Sequence, residues 1–168
     1  MESLSRFIEL FTLTNQAAAG RIRQRLALVL ADPDAYETEY AEELLERGIE
    51  AGLPRQELRD VALIDALLSE ELLWEADWKE PAVEIAEGLN EVLVLQQRPA
   101  LDSVALGTRA GNGPDALDAV QDALEAQGLA LVLFTLDSDS YPLSVVADAD
   151  AETARQLAAE MGFKVAVY

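Results

Sequence analysis

Residues 114–133 read PDALDAVQDALEAQGLALVL, and this stretch decides the fold of the C-terminal half. It predicts a helix from Pro114 to Gln127, a helix cap at Gly128 and a strand that starts at Leu129. The same unit returns in residues 150–167, which read DAETARQLAAEMGFKVAV, with the glycine at Gly162. Two copies of a helix–glycine–strand unit predict an α/β region with an internal repeat over residues 99–168.

The segment between the two units has the spacing of a hairpin. Asp137–Ser140 separates a predicted strand at 129–136 from another at 141–147, and its residue types favour a turn. The apolar residues Val104–Leu106 predict a further strand before the first unit. The order would then be β-α-β-β-α-β, as in ferredoxin-like domains.

The N-terminal region, residues 1–98, has helical periodicity throughout and predicts an all-helical region. The predicted helix breaks are Gly20, Asp32–Pro33, Gly52–Pro54, the run 76–79 and Pro81. We therefore expect an α+β protein, with a helical N-terminal half packed on a small antiparallel sheet with two helices. We expect the two halves to form one compact unit, because no Gly/Ser/Pro-rich linker divides them.

The composition restricts the chemistry available to the chain. Its 168 residues include no histidine and no cysteine, with 32 acidic against 12 basic side chains and a formal net charge of −20. Histidine and cysteine supply the commonest general base, the thiolate nucleophile and most zinc ligands. We therefore expect no cofactor, and the sequence favours a non-enzymatic protein over an enzyme.

The charge also indicates which partners are favourable. Residues 32–92 hold 19 acidic and four basic side chains, a field that repels nucleic acids and anionic membranes and attracts basic proteins. We see no export signal near the N-terminus and no apolar run long enough to cross a bilayer. We expect a cytoplasmic protein that binds neither nucleic acid nor membrane.

Two series of glutamates recur at helical spacing. The glutamates of each series would lie along one helical face, where their like charges repel one another. A basic protein partner would relieve this repulsion, and it is favoured over a metal site because the chain has no histidine to serve as a ligand. A solvated helix surface would explain the same pattern. The series are Glu39, Glu43, Glu46 and Glu50, and Glu80, Glu84, Glu87 and Glu91.

Trp74 and Trp78 lie four residues apart and would share one helical face. They are interpreted either as anchors of the core or as aromatic contacts for a basic partner.

Two loops are candidate ligand sites. The turn Asp137, Ser138, Asp139, Ser140, Tyr141 carries oxygen-rich side chains that could bind a ligand or cation, although a hairpin turn explains them as well. Residues 107–113 read GTRAGNG before a helix, but their spacing is not that of a phosphate-binding loop, and a connector is expected.

A family resemblance is carried by the string Asp137–Pro142, which reads DSDSYP, together with Trp74, Trp78, the stretch Ala82–Leu95 and the ending Gly162–Val165. With these features the chain resembles, over roughly residues 70–168, a family of uncharacterised bacterial proteins defined as a domain of unknown function. The resemblance implies no catalytic residues.

Two functional hypotheses follow. The first is a bacterial protein-interaction module, similar to an inhibitor, immunity protein or adaptor, that binds a basic protein through Glu80, Glu84, Glu87, Glu91, Trp74 and Trp78. The second is a ligand- or cation-binding α+β domain that uses the 137–141 turn.

Overall fold

The computed structural model describes residues 2–50, 52–107 and 111–168. These residues form helices and a four-stranded antiparallel sheet, which confirms the α+β class. The helices are α1 (Glu2–Thr12), α2 (Gln16–Ala31), α3 (Pro33–Glu39), α4 (Ala41–Glu46), α5 (Arg55–Ser69), α6 (Ala82–Leu95), α7 (Ser103–Leu106), α8 (Pro114–Glu125) and α9 (Ala151–Met161). The strands are β1 (Trp74–Asp77), β2 (Leu129–Phe134), β3 (Ser140–Ala147) and β4 (Val165–Val167), and a 3-10 turn, Asp148–Asp150, precedes α9.

The first helices begin and end at capping side chains. Asn15 accepts a hydrogen bond from the backbone N–H of Ala18 at 3.1 Å and starts α2. Asp32 ends α2, and its side chain accepts from the N–H of Ala35 to start α3, with Pro33 in the first turn. The predicted break at Gly20 is wrong, because α2 continues through it from a start at Gln16.

The sequence predicts one helix between the breaks at Asp32–Pro33 and Gly52–Pro54, and this helix is also not formed as expected. The chain instead makes the two short helices α3 and α4, and α4 ends at Glu46. Gly48, with φ of 79°, takes the left-handed conformation after it.

Two predictions of secondary structure need correction. Residues 74–77 form β1, so the region 1–98 is not all-helical, and residues 103–106 form α7 where a strand was predicted at Val104–Leu106. Asp102 caps α7 by accepting from the N–H of Ala105. The four residues of β1 have no clear strand pattern, and their pairing with β3 gives them this conformation.

The strands lie in the order β1-β3-β2-β4, and every neighbouring pair is antiparallel. The connections β1 to β2 and β3 to β4 each pass over one strand and advance in the same direction across the sheet. Because they start from strands of opposite direction, right-handed crossovers place their helices on opposite faces. The molecule therefore has three layers, which differ from a two-layer ferredoxin-like sandwich with helices on one face.

The two faces of β2 show this layering. Ala130, Val132 and Phe134 pack with α1, α2, α5 and α9, and Leu129 and Leu131 pack with α6 and α8 on the opposite face. A strand covered on both sides needs apolar residues at every position, which explains the run LALVLF. The repeat predicted from the sequence is present, with Gly128 and Gly162 both at positive φ between helix and strand.

Candidate functional site

The second glutamate series lies in a cleft beside the edge strand β1. Trp74 comes from β1, Glu80 from the turn that follows, and Glu84, Glu87 and Glu91 from the exposed face of α6. These residues and Gly88 line a cleft of about 410 Å³, which we call the α6 cleft. The described residues that line it include four carboxylates and no basic side chain.

Gly88 allows Trp74 to lie against α6. A Cβ atom at position 88 would overlap the indole ring, so the absence of a side chain is a packing requirement. The indole Nε1 of Trp74 and Oε2 of Glu80 are both buried without a hydrogen-bond partner among the described residues. Two unsatisfied polar atoms in one cleft are uncommon, because buried polar groups are normally paired.

The turn after β1 is fixed by its own side chains. Glu80 Oε1 accepts from the backbone N–H of Asp77 at 3.2 Å, and Asp77 Oδ1 accepts from the N–H of Lys79 at 2.8 Å. These bonds hold Glu80 in the lining of the cleft, just before the start of α6.

Trp78 lies on this turn, outside the lining of the α6 cleft. The sequence analysis predicted that Trp74 and Trp78 share one helical face, but residues 74–77 form a strand, so this prediction is wrong. Trp78 is 43% exposed, and the Lys79 ammonium lies 5.3 Å from its ring centroid. Its ring face is thus already in contact with a cation.

The 137–141 segment is a hydrogen-bonded turn that leads into β3. The hydroxyls of Ser138 and Ser140 lie 2.8 Å apart, and Ser138 Oγ also accepts from the N–H of Ser140. The carbonyl of Asp139 accepts from the N–H of Trp78, while Tyr141 pairs with Ala76 in the sheet. Asp137 lines a different cavity with Lys164.

These bonds are those of a hairpin turn that satisfies its own backbone. In the described part of the chain, no group of three or more acidic side chains is arranged to hold a metal ion, here or elsewhere. Of the loop 107–113, residues 108–110 lie outside the described residues.

A second charged site lies on the other side of β1, beneath α4. Arg47 donates from Nε to Asp65 Oδ1 at 2.7 Å and from Nη2 to Glu75 at 2.5 Å. Arg25 donates from Nη2 to Glu43 at 2.5 Å. The network joins α2, α4, α5 and β1, and we call the cavity beside it the α4 pocket.

The Arg25 side chain packs against the stacked rings of Tyr36 and Tyr40. Its Nε donates to the Tyr36 hydroxyl at 3.0 Å, and its guanidinium carbon lies 4.1 Å from the centroid of the Tyr40 ring. Arg25 is 7% exposed and Tyr36 is fully buried. Burial raises the pKa of the Tyr36 phenol, against the opposing effect of Arg25, so this hydroxyl stays protonated.

The carboxyl and guanidinium groups of the α4 pocket perturb one another. Burial raises the pKa of Asp65, although Arg47 and Arg25 oppose the shift. Burial lowers the pKa of Arg47, but hydrogen bonds to Asp65 and Glu75 outweigh it, so the pKa is raised overall. The arginines therefore stay charged.

A comparison with known protein families assigns the chain. A family model described as a domain of unknown function, DUF6630, matches residues 3–168. The chain belongs to this family. The DUF6630 match spans nearly the whole chain and so extends the resemblance seen over residues 70–168 into the helical N-terminal half. Searches of curated proteins and of solved structures return no match.

Across residues 2–50, 52–107 and 111–168, no helix has both the length and the apolar character needed to cross a bilayer.

The structure brings five of the six predicted partner-binding residues into one cleft and places Trp78 on the adjoining turn. Helical spacing was the signal for the glutamates. The sequence analysis missed Gly88, although a glycine inside an apolar helix can indicate a close contact. The α4 pocket had no such signal. Its ion pairs join residues 18 and 28 positions apart, and the first glutamate series is divided between α3, α4 and the segment beyond.

Proposed function

We propose that this protein is a non-enzymatic interaction module that binds a basic protein through the α6 cleft. The observation that carries the proposal is the convergence of Trp74 with Glu80, Glu84, Glu87 and Glu91 around one cleft. A pocket with an aromatic wall and a carboxylate rim suits the methylene stem and charged head of lysine or arginine.

The charge of the cleft supports this proposal. Glu84, Glu87 and Glu91 are three or four residues apart on α6, so each repels its neighbour, and Glu80 adds a fourth negative charge from the turn before the helix. A basic partner would relieve this repulsion on binding. The chain's net charge of −20 would also accelerate the encounter and disfavour nucleic acids.

Trp78 offers a second contact beside the cleft. Its ring is 43% exposed and already lies near the Lys79 ammonium. A partner arginine or lysine could replace Lys79 on the ring, since the interaction requires only a cation over an aromatic face. Inhibitor, immunity or adaptor roles in the cytoplasm are of this type, and we place the protein among them by analogy.

The test compares two triple variants of equal charge. The first changes Glu84, Glu87 and Glu91 to Gln, and the second changes the exposed residues Glu9, Glu42 and Glu125 to Gln. Partners are captured from lysate of the native organism at low and moderate salt, identified by mass spectrometry, purified and titrated calorimetrically. We expect a basic partner whose affinity falls at least about ten-fold with the cleft triple, as for the loss of several close charge pairs.

The control triple distinguishes binding at the α6 cleft from a general effect of the protein's negative charge. It should weaken binding far less, mainly through the association rate. Equal losses in the two triples would refute the cleft as the binding site, and a captured partner that is not basic would refute the proposed charge complementarity.

A further inference from the structure

The α4 pocket is a charged cavity that the α6 proposal does not use. It measures about 480 Å³, within the range of small-molecule sites. Its lining comes from α4, the segment after it, α5 and β1, and consists of Glu43, Glu46, Arg47, Asp65, Leu68, Ser69 and Glu75.

One buried oxygen of this pocket lacks a hydrogen-bond donor. The Asp65 side chain is 10% exposed, and its Oδ1 accepts from Arg47. Its Oδ2 is buried without a hydrogen-bond partner among the described residues, and Arg25 Nη2, at 3.9 Å, is too far to donate. A buried, unsatisfied carboxylate oxygen is costly, so a donor at this position would be strongly favoured.

The balance of charge specifies the donor. Four carboxylates line the pocket, and even with Arg25 included there are two guanidinium groups to oppose them. Both guanidinium groups already bind carboxylates. The excess negative charge therefore favours a ligand that is both a cation and a hydrogen-bond donor.

The apolar part of the lining restricts the ligand further. Leu68, which is 38% exposed, provides an aliphatic wall next to the carboxylates. A methylene chain would cover this wall while its terminal N–H groups pair with the carboxylates of the pocket, and a shift of the Asp65 side chain toward the ligand would give Oδ2 its donor. We propose that the α4 pocket binds an alkylammonium group, from either a free aliphatic amine or a lysine side chain. This inference does not depend on the function of the α6 cleft.

The experiment is a ¹⁵N–¹H NMR titration of the whole chain with n-pentylamine at constant ionic strength. We expect saturable shifts at the amides of Leu68, Ser69 and Glu75. The indole N–H of Trp74 reports separately on the α6 cleft. Shifts confined to Trp74 and the α6 amides, or no saturable shifts, would overturn the proposal and leave the test of the α6 cleft unaffected.

Three variants localise the binding. Asp65→Asn should weaken it about ten-fold, as expected for the loss of a charged hydrogen bond. Because Asp65→Asn also perturbs Arg47, exposed Glu46→Gln serves as a milder change, with an expected loss of about three-fold. Glu42→Gln, on the same helix but outside the pocket, should leave the affinity unchanged. Equal effects of Glu46→Gln and Glu42→Gln would overturn the proposal.

Other ligands test which chemical group binds and whether it belongs to a free amine or to a lysine side chain. Tetramethylammonium has the charge but no N–H donor and should not compete with pentylamine, and Mg²⁺ should not compete at matched ionic strength. Competition by either ion would refute the alkylammonium assignment. Binding of Nα-acetyl-lysine N-methylamide at the same amides would identify a lysine side chain as a source, whereas binding of pentylamine alone would identify a free amine.

Discussion

Strand β1 separates two acidic regions that differ in how their charge is neutralised. Trp74 faces the α6 cleft, where the described lining residues include no basic side chain. Glu75 faces the α4 pocket, where Arg25 and Arg47 pair with Glu43, Asp65 and Glu75. Successive residues of a strand point to opposite faces, so one short strand contributes to both regions.

This difference separates a structural role from a binding role. In the α4 pocket most charged groups form ion pairs that attach α4 to the rest of the protein. Apolar packing contributes less to this attachment, since Leu44 is the one residue of α4 that is buried. In the α6 cleft Glu80 binds the turn after β1, whereas Glu84, Glu87 and Glu91 hold no other described residue in place, and α6 is secured by its apolar face. Substitutions in the two regions should therefore have different, and in one case opposite, effects on stability.

The largest effect is expected from removal of Arg47. Arg47→Met leaves Asp65 buried without its ion-pair partner and should lower the free energy of unfolding by about 3 kcal/mol. Urea denaturation followed by circular dichroism measures the change. Arg21→Met is the control, because the Arg21–Glu70 pair involves a solvent-exposed arginine and its loss should change stability little. Similar losses in both variants would show that the network is not structural.

The second prediction concerns the contact that shapes the cleft. Gly88→Ala places a methyl group against the Trp74 ring and should cost about 2 kcal/mol, with a change in tryptophan fluorescence. Gly20→Ala is the matched control within α2, where a Cβ meets no atom within 4 Å. It should stabilise the protein by about 1 kcal/mol through helix propensity. A stabilising Gly88→Ala would contradict the described packing.

The third prediction is an opposite response of the two regions to loss of a carboxylate. The triple change of Glu84, Glu87 and Glu91 to Gln should raise the free energy of unfolding by about 0.5–1 kcal/mol, because like charges repel along α6. Glu43→Gln should lower it by about 1 kcal/mol, since Arg25 loses a charged acceptor. Thermal melts at neutral pH compare the two, and changes of the same sign would remove the distinction between the regions.

The smallest effect is expected in the pH dependence. Because burial raises the pKa of Asp65 in the folded state above its ordinary value, the native protein binds a proton between these two pKa values that the unfolded chain does not. Stability from this group is therefore gained as pH falls through the raised pKa and lost as pH rises through it. Asp65→Asn should reduce the gain in melting temperature on mild acidification.

Glu91→Gln, on the cleft side, controls for the general relief of a net charge of −20. An unchanged pH dependence in Asp65→Asn, or an equal reduction in Glu91→Gln, would contradict a specific contribution from Asp65.

Local sequence patterns predicted much of the fold. Leu4, Phe7, Ile8 and Phe11 recur at helical spacing on one face of α1, and all are at most 2% exposed. The units containing Gly128 and Gly162 have the expected conformation at both glycines. Two of the failed predictions, at β1 and at α7, concern segments of four residues each, too few for a reliable period.

The candidate sites were predictable to different degrees. The glutamates of the α6 cleft follow a helical period, and the structure places them together with Trp74. The α4 pocket depends on pairs between separate helices, such as Arg25 with Glu43 and Arg47 with Asp65. Charge alone does not select among so many acidic residues, so these pairs could not be assigned from the sequence.

By itself, the sequence determined the sign of the charge, the exclusion of histidine and cysteine chemistry, and the helix–glycine–strand units, because composition and local backbone preference fix these properties. The tertiary structure decided that residues 74–77 form an edge strand, that Gly88 receives the Trp74 ring, and that two arginines neutralise one acidic region and leave the other open. The physical reason is that strand pairing, ring packing and ion pairing join residues distant in the chain.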